Sequence, residues 1–120
     1  MFLVTRILLI ICLFWPYLSY AQDFSRDSLQ RALYITSIPS EKIVLLNGLA
    51  ESWMSDDPLK AYAFAEQAYI LSETIEDKEG KAKSLFYMGQ YSFLKKDYVA
   101  TINYYLESLE GFEKSGNKEF

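Results

Sequence analysis

The feature that most constrains this chain is that it repeats itself. Asp57 recurs as Asp97, Glu73 as Glu113, Lys78 as Lys118 and Glu79 as Glu119, all at an offset of 40 residues. In the first half of each unit the offset is 39, pairing Leu46 with Leu85, Ala50 with Gly89 and Trp53 with Ser92, and the extra residue falls in the turn between the halves. A period of this length marks a supersecondary unit stacked on its own copies, because one such unit cannot bury its apolar face alone. The unit must be helical. After Pro16 only Pro39 and Pro58 interrupt the chain, glycines are widely spaced, and no stretch alternates as a half-buried strand would.

The apolar period predicts five helices. A short lead helix at 27–38 turns Leu29, Leu33 and Ile35 inward and is stopped by Ile38-Pro39-Ser40. A second, from 41 to about 55, sets Leu46, Leu49, Ala50 and Trp53 on one face. Asp57-Pro58 starts a third, since Asp accepts from free amides as N-cap and Pro at the first position has no N–H to waste. Its stripe of Ala61, Ala65, Ala68 and Ser72 lets another helix approach closely. The charged connection 76–80 precedes a fourth helix with Leu85, Met88, Gly89 and Ser92 on one face. After Lys95-Lys96-Asp97, a fifth puts Tyr98, Thr101, Ile102, Tyr105, Ser108, Leu109 and Phe112 on a single face and ends at Gly116-Asn117. The expected architecture is all-α: a linker and lead helix within 22–40, then two helix-pair repeats of about 40 residues, 41–79 and 80–120.

Residues 1–21 read as an export signal. Arg6 supplies the positive flank, residues 7–15 (ILLIICLFW) the apolar core, and Ser19-Tyr20-Ala21 the small-x-small pattern ahead of a cut between Ala21 and Gln22. The core falls short of the roughly 20 apolar residues of a membrane helix. The expected location is periplasmic or secreted, with membrane attachment only through an uncleaved signal or a downstream segment. The single cysteine, Cys12, lies inside the signal, so the exported part has none and must be stabilised by packing rather than by disulfides.

Composition narrows the chemistry. The chain of 120 residues has no histidine, which removes imidazole bases and imidazole metal ligands, and its net charge of −4 leaves no footprint for nucleic acid. Glu51, Asp56 and Asp57 could be imagined as the carboxyl pair of a glycosidase, but Asp57 is better used as an N-cap. The acidic run Glu76, Asp77 and Glu79 lacks the ligand spacing of a calcium loop. No catalytic residue, cofactor or metal is expected.

The run Leu85-x-x-Met88-Gly89, the Asp97-Tyr98 turn, and Ile102, Tyr105 and Ser108 resemble the tetratricopeptide repeat. The first unit carries the resemblance through Leu46, Leu49-Ala50, Trp53, Ala61, Ala65 and Ala68. Thr101 and Ser108 depart from it, standing where alanine is usual, as does Ser92 where an aromatic is usual; the period is also longer than the common 34 residues. With the leader, the chain also resembles the exported part of bacterial sensor histidine kinases and of membrane-anchored transcription regulators. The resemblance implies an antiparallel helix-pair solenoid that binds a protein or peptide on its concave face. It offers a choice between a stand-alone interaction scaffold and the sensing segment of a larger signalling protein truncated before a third repeat.

In such a stack the partner-binding positions are those of the first helix of each unit left free by the core: Val44, Asn47, Glu51 and Met54, then Lys83, Phe86, Tyr87, Gln90 and Phe93. Phe86, Gln90 and Phe93 at i, i+4, i+7 would set two aromatics around one amide, suited to an extended peptide or an amphipathic helix. Glu51 would repel a carboxylate, which disfavours the family's clamp for C-terminal tails. The aromatic residues of the last helix make self-association through the C-terminal end a further expectation.

Overall fold

The computed structural model describes the backbone of residues 2–116 and the side chains of 3–13 and 25–116. It holds five helices, α1 (Phe2–Ile35), α2 (Pro39–Trp53), α3 (Pro58–Ile75), α4 (Lys78–Leu94) and α5 (Tyr98–Ser115), and no strand among the described residues. The all-α expectation holds. Lys118 and Glu119, the end of the repeat, lie outside the described residues, as do the side chains at the signal cleavage site.

The lead helix differs from expectation. Instead of a linker followed by a helix at 27–38, one helix runs from Phe2 to Ile35 and stops three residues early. Pro39 is the cause: it disfavours helical geometry in the residue before it, and Ile38 is extended at φ −85°, ψ 117°. The Ile38 N–H is taken by the Thr36 hydroxyl at 3.3 Å. Ile35 consequently faces solvent at 80% exposure rather than inward, while Leu29 and Leu33 are half-buried. Towards the other end of α1, the apolar side chains from Leu3 to Leu13 are exposed.

Each helix packs on the next, and α2 also packs on α4. The core follows the repeat register. Ile43, Leu46, Leu49 and Ala50 are buried on α2, and so are Ala82, Leu85, Met88 and Gly89 on α4, 39 residues on. The small stripe of α3 is buried in full. On α5 only part of the expected face is covered: Thr101, Ser108 and Phe112 are buried and Tyr105 half-buried, but Tyr98, Ile102 and Leu109 are exposed. Among the described residues α5 packs chiefly on α4, which cannot bury a broad apolar face across its whole width.

Helix ends repeat at half the expected period. Asp57, Asp77 and Asp97, each 20 residues from the next, are N-caps whose carboxylates accept the backbone N–H of Lys60, Gly80 and Ala100 at 3.2, 2.9 and 3.2 Å. Glu76, Lys96 and Gly116, also at intervals of 20, take the left-handed conformation. The N–H groups of Asp77 and Asp97 donate back to the carbonyls of Ser72 and Ser92, both at 2.9 Å, closing Schellman turns. Each of these aspartates thus ends one helix and caps the next. The charged connection is therefore two residues, Glu76 and Asp77, not 76–80, and Lys78 to Gly80 belong to α4.

Candidate partner-binding groove

Because α2 and α4 lie side by side, their outward rows face one concavity. Val44 and Glu51 of α2, with Met54 just past its end, border it on one side, and Lys83, Phe86, Gln90 and Leu94 of α4 on the other, around a volume of about 1010 Å³. Asn47 and Tyr87 line its floor. Val44 also borders a neighbouring hollow of about 730 Å³ with Ala32, Ile35 and Leu45.

The predicted positions play different parts. Asn47 is 4% exposed: its amide donates to the Gly80 carbonyl and its carbonyl oxygen accepts from the Ser84 hydroxyl, both at 3.1 Å. It is a strut that fixes α2 against α4. Tyr87 is buried with Ala50, Ala65 and Met88, its ring in the core. Burial first, then the negative charge of Glu51, pushes Tyr87 up to about 12. Phe86 meets Tyr87 edge-on at 5.5 Å and stacks on Tyr105 of α5 at 5.6 Å. Lys83 pairs with Glu79 at 3.4 Å, one turn before it. Phe93 stands outside the groove, 56% exposed, edge-on to Tyr98 at 6.0 Å. One residue on, Leu94 takes the groove position, because the row on α4 runs through Lys83 and Gln90 and leaves Phe93 on the edge towards α5.

Two structural features had no clear sequence signal. Ser84 on α4 meets Asn47 across 37 residues of chain. Arg26, 8% exposed, donates twice to the Ser52 carbonyl at the C-terminal end of α2 and pairs with Asp56. Its guanidinium lies 4.2 Å from the Trp53 ring, and Lys60 lies 4.1 Å from the same ring. A cation at a helix C-terminus also complements the macrodipole. Arg26 thereby ties α1 to α2 and closes that end of the stack.

The carboxylates considered for catalysis are divided among other places: Asp57 caps α3, Asp56 pairs with Arg26, and Glu51 lines the groove. Among the described residues no three His, Cys, Asp or Glu side chains gather as a metal site, and no helix is long and apolar enough to cross a membrane. No family model matches the chain, and neither a curated protein nor a solved structure is found to be similar to it.

Proposed function

We propose that this chain is a non-enzymatic protein-interaction module of the tetratricopeptide type, acting outside the cytoplasm, whose α2–α4 groove takes an extended peptide or an amphipathic helix. The observation that carries this reading is the groove itself, walled by two helices at matching register and floored by side chains whose polar atoms are already satisfied. A preformed concave surface with aromatic and acidic groups binds without reorganising. The exposed apolar side chains from Leu3 to Leu13, none of them part of the α2–α5 core, support the reading of that segment as a removable export signal.

Charge narrows the partner. The groove lining includes Glu51, Asp77 and Glu79 against Lys83 alone, beside the rings of Phe86 and Tyr87. A lysine or arginine flanked by apolar residues suits such a surface, through charge and through cation–π contact. A peptide-display selection on the full chain tests this. Enriched sequences should carry basic and apolar residues together, and Glu51→Lys or Phe86→Ala should weaken them at least tenfold, roughly 1.4 kcal/mol or more. Enrichment of acidic peptides, or binders indifferent to both substitutions, would refute the reading.

A further inference from the structure

α3 and α4 form a hairpin whose two ends are held differently. Towards the turn at Glu76 and Asp77, Lys81 of α4 lies 3.1 Å from Glu73 and 5.4 Å over the Tyr69 ring. At the open end, Tyr62 near the start of α3 meets Tyr91 near the end of α4, with ring centroids 4.7 Å apart and planes inclined by 38°. Aromatic pairs span about 4.5–7 Å, so these rings stand near the close limit. Among the described residues no other ring contact joins two tyrosines. The repeat does not require them: the register position of Tyr62 on α5 is Ile102, and that of Tyr91 on α2 is Ser52. Both rings are half-buried, so each is held by its helix and keeps part of its surface in solvent.

We propose that Tyr62 and Tyr91 are an oxidative modification site, at which hydrogen peroxide acting through a haem peroxidase joins them into a dityrosine within one chain. Each phenol gives up one electron and one proton and becomes a phenoxyl radical. The two radicals couple through carbons ortho to their hydroxyls, and the hydrogens on those carbons pass to the oxygens as the rings regain aromaticity. The two electrons and two protons released reduce one peroxide to two waters. A biaryl is itself twisted about its new bond, so the inclined planes need not become parallel. Proximity decides the partner: Tyr34, at 91% exposure, and Tyr98 reach a second chain only by diffusion, whereas Tyr62 and Tyr91 are already in contact. The new bond closes the open end of the hairpin and restricts the unfolded chain as a disulfide does. Residues 22–120 hold no cysteine that could do the same. The site does not depend on what the α2–α4 groove binds.

The full chain with Cys12→Ser, dilute and treated with a haem peroxidase and hydrogen peroxide, gives the test. The product should remain one chain, lose two hydrogens by intact mass and acquire the blue fluorescence of dityrosine. Proteolytic mapping should find the peptide of Tyr62 joined to that of Tyr91, a readout that needs no variant. Tyr62→Phe and Tyr91→Phe keep the rings packed and should each abolish the internal link, while Tyr34→Phe leaves it in place. The linked chain should also unfold at a higher urea concentration than the untreated one. Coupling only between chains, an internal link that survives Tyr91→Phe, or the same link formed equally well in the urea-unfolded chain would overturn the proposal.

Discussion

The helix pairs α2–α3 and α4–α5 share a backbone plan and differ in how their neighbours close it. Both begin from the same buried register, and both start their second helix at an aspartate N-cap, Asp57 or Asp97, and end it at a left-handed residue, Glu76 or Gly116. The first pair is bounded by α1, with Arg26 fastened over Ser52, Trp53 and Asp56. In the second, a tyrosine replaces an alanine: Tyr105 stands at the register position of Ala65 and lies against Gly89, which corresponds to Ala50. Volume lost on one helix is regained on its partner, so repeat units conserve their spacing while exchanging side chains.

The largest expected effect lies at Gly89. A Cβ there would come within 2.6 Å of the Tyr105 ring, so Gly89→Leu should cost about 3 kcal/mol or more, read by chemical denaturation. In the first pair Gly48 has room, its Cβ meeting Leu29 at an ordinary 3.5 Å. Gly48→Ala should stabilise by about 0.5–1 kcal/mol through helix propensity. Equal effects at the two glycines would remove the distinction between the pairs.

Next comes the Arg26 fastening. Arg26→Met keeps much of the bulk but leaves the Ser52 carbonyl and Asp56 without their partner, and should cost about 2 kcal/mol. Amide exchange should quicken mainly at the α1–α2 contact, with α4–α5 little changed. A uniform loss of protection across all helices would mean that the pairs do not respond separately.

Tyrosine ionisation separates the pairs by a second route. Tyr62, of α3, and Tyr87, of α4, are both pushed up to about 12, chiefly by burial, helped at Tyr62 by the neighbouring Tyr104 hydroxyl and at Tyr87 by the Glu51 charge. Since an unfolded chain releases these protons nearer 10, their contribution to stability is complete below that pH and is lost as pH rises from about 10 towards 12. Ultraviolet titration should show a late-ionising fraction, and Glu51→Gln should advance Tyr87 alone. An unchanged titration in that variant would contradict the contact.

The smallest effects lie in the turns. Asp77→Ala should cost about 1 kcal/mol as a lost cap. Glu76→Gly and Lys96→Gly, relieving left-handed backbone at φ 58° and 62°, should each stabilise by up to about 1 kcal/mol. Destabilisation by either glycine would show that those side chains hold something beyond the turn.

Much of this was legible in the residue pattern for a physical reason: helix faces and caps are local. The Ala61, Ala65, Ala68, Ser72 stripe and the Asp57 and Asp97 starts are visible at spacings of a few residues. Asp77 was hidden inside a run of charges, although its spacing of 20 from both other caps carried the signal. The residues that line the groove share the repeat register, whereas Phe93 lies outside it, because periodicity does not say where a groove ends. Arg26 with Trp53 and Asp56, and Asn47 with Ser84, join residues some 26 to 37 apart, and only packing brings them together. The uncovered row on α5 was equally out of reach, since an apolar helix face looks the same whether or not a neighbour covers it.

The most direct measurement of the central claim is backbone NMR of the chain titrated with a peptide of alternating lysine and leucine, beside a glutamate–leucine peptide of equal length. If the α2–α4 groove is the binding surface, the lysine peptide should shift Val44, Glu51, Met54, Lys83, Phe86 and Gln90 in a saturable way, and the acidic peptide should leave them in place. Shifts confined to the outer row of α5, equal responses to both peptides, or no saturable change in the groove would contradict it.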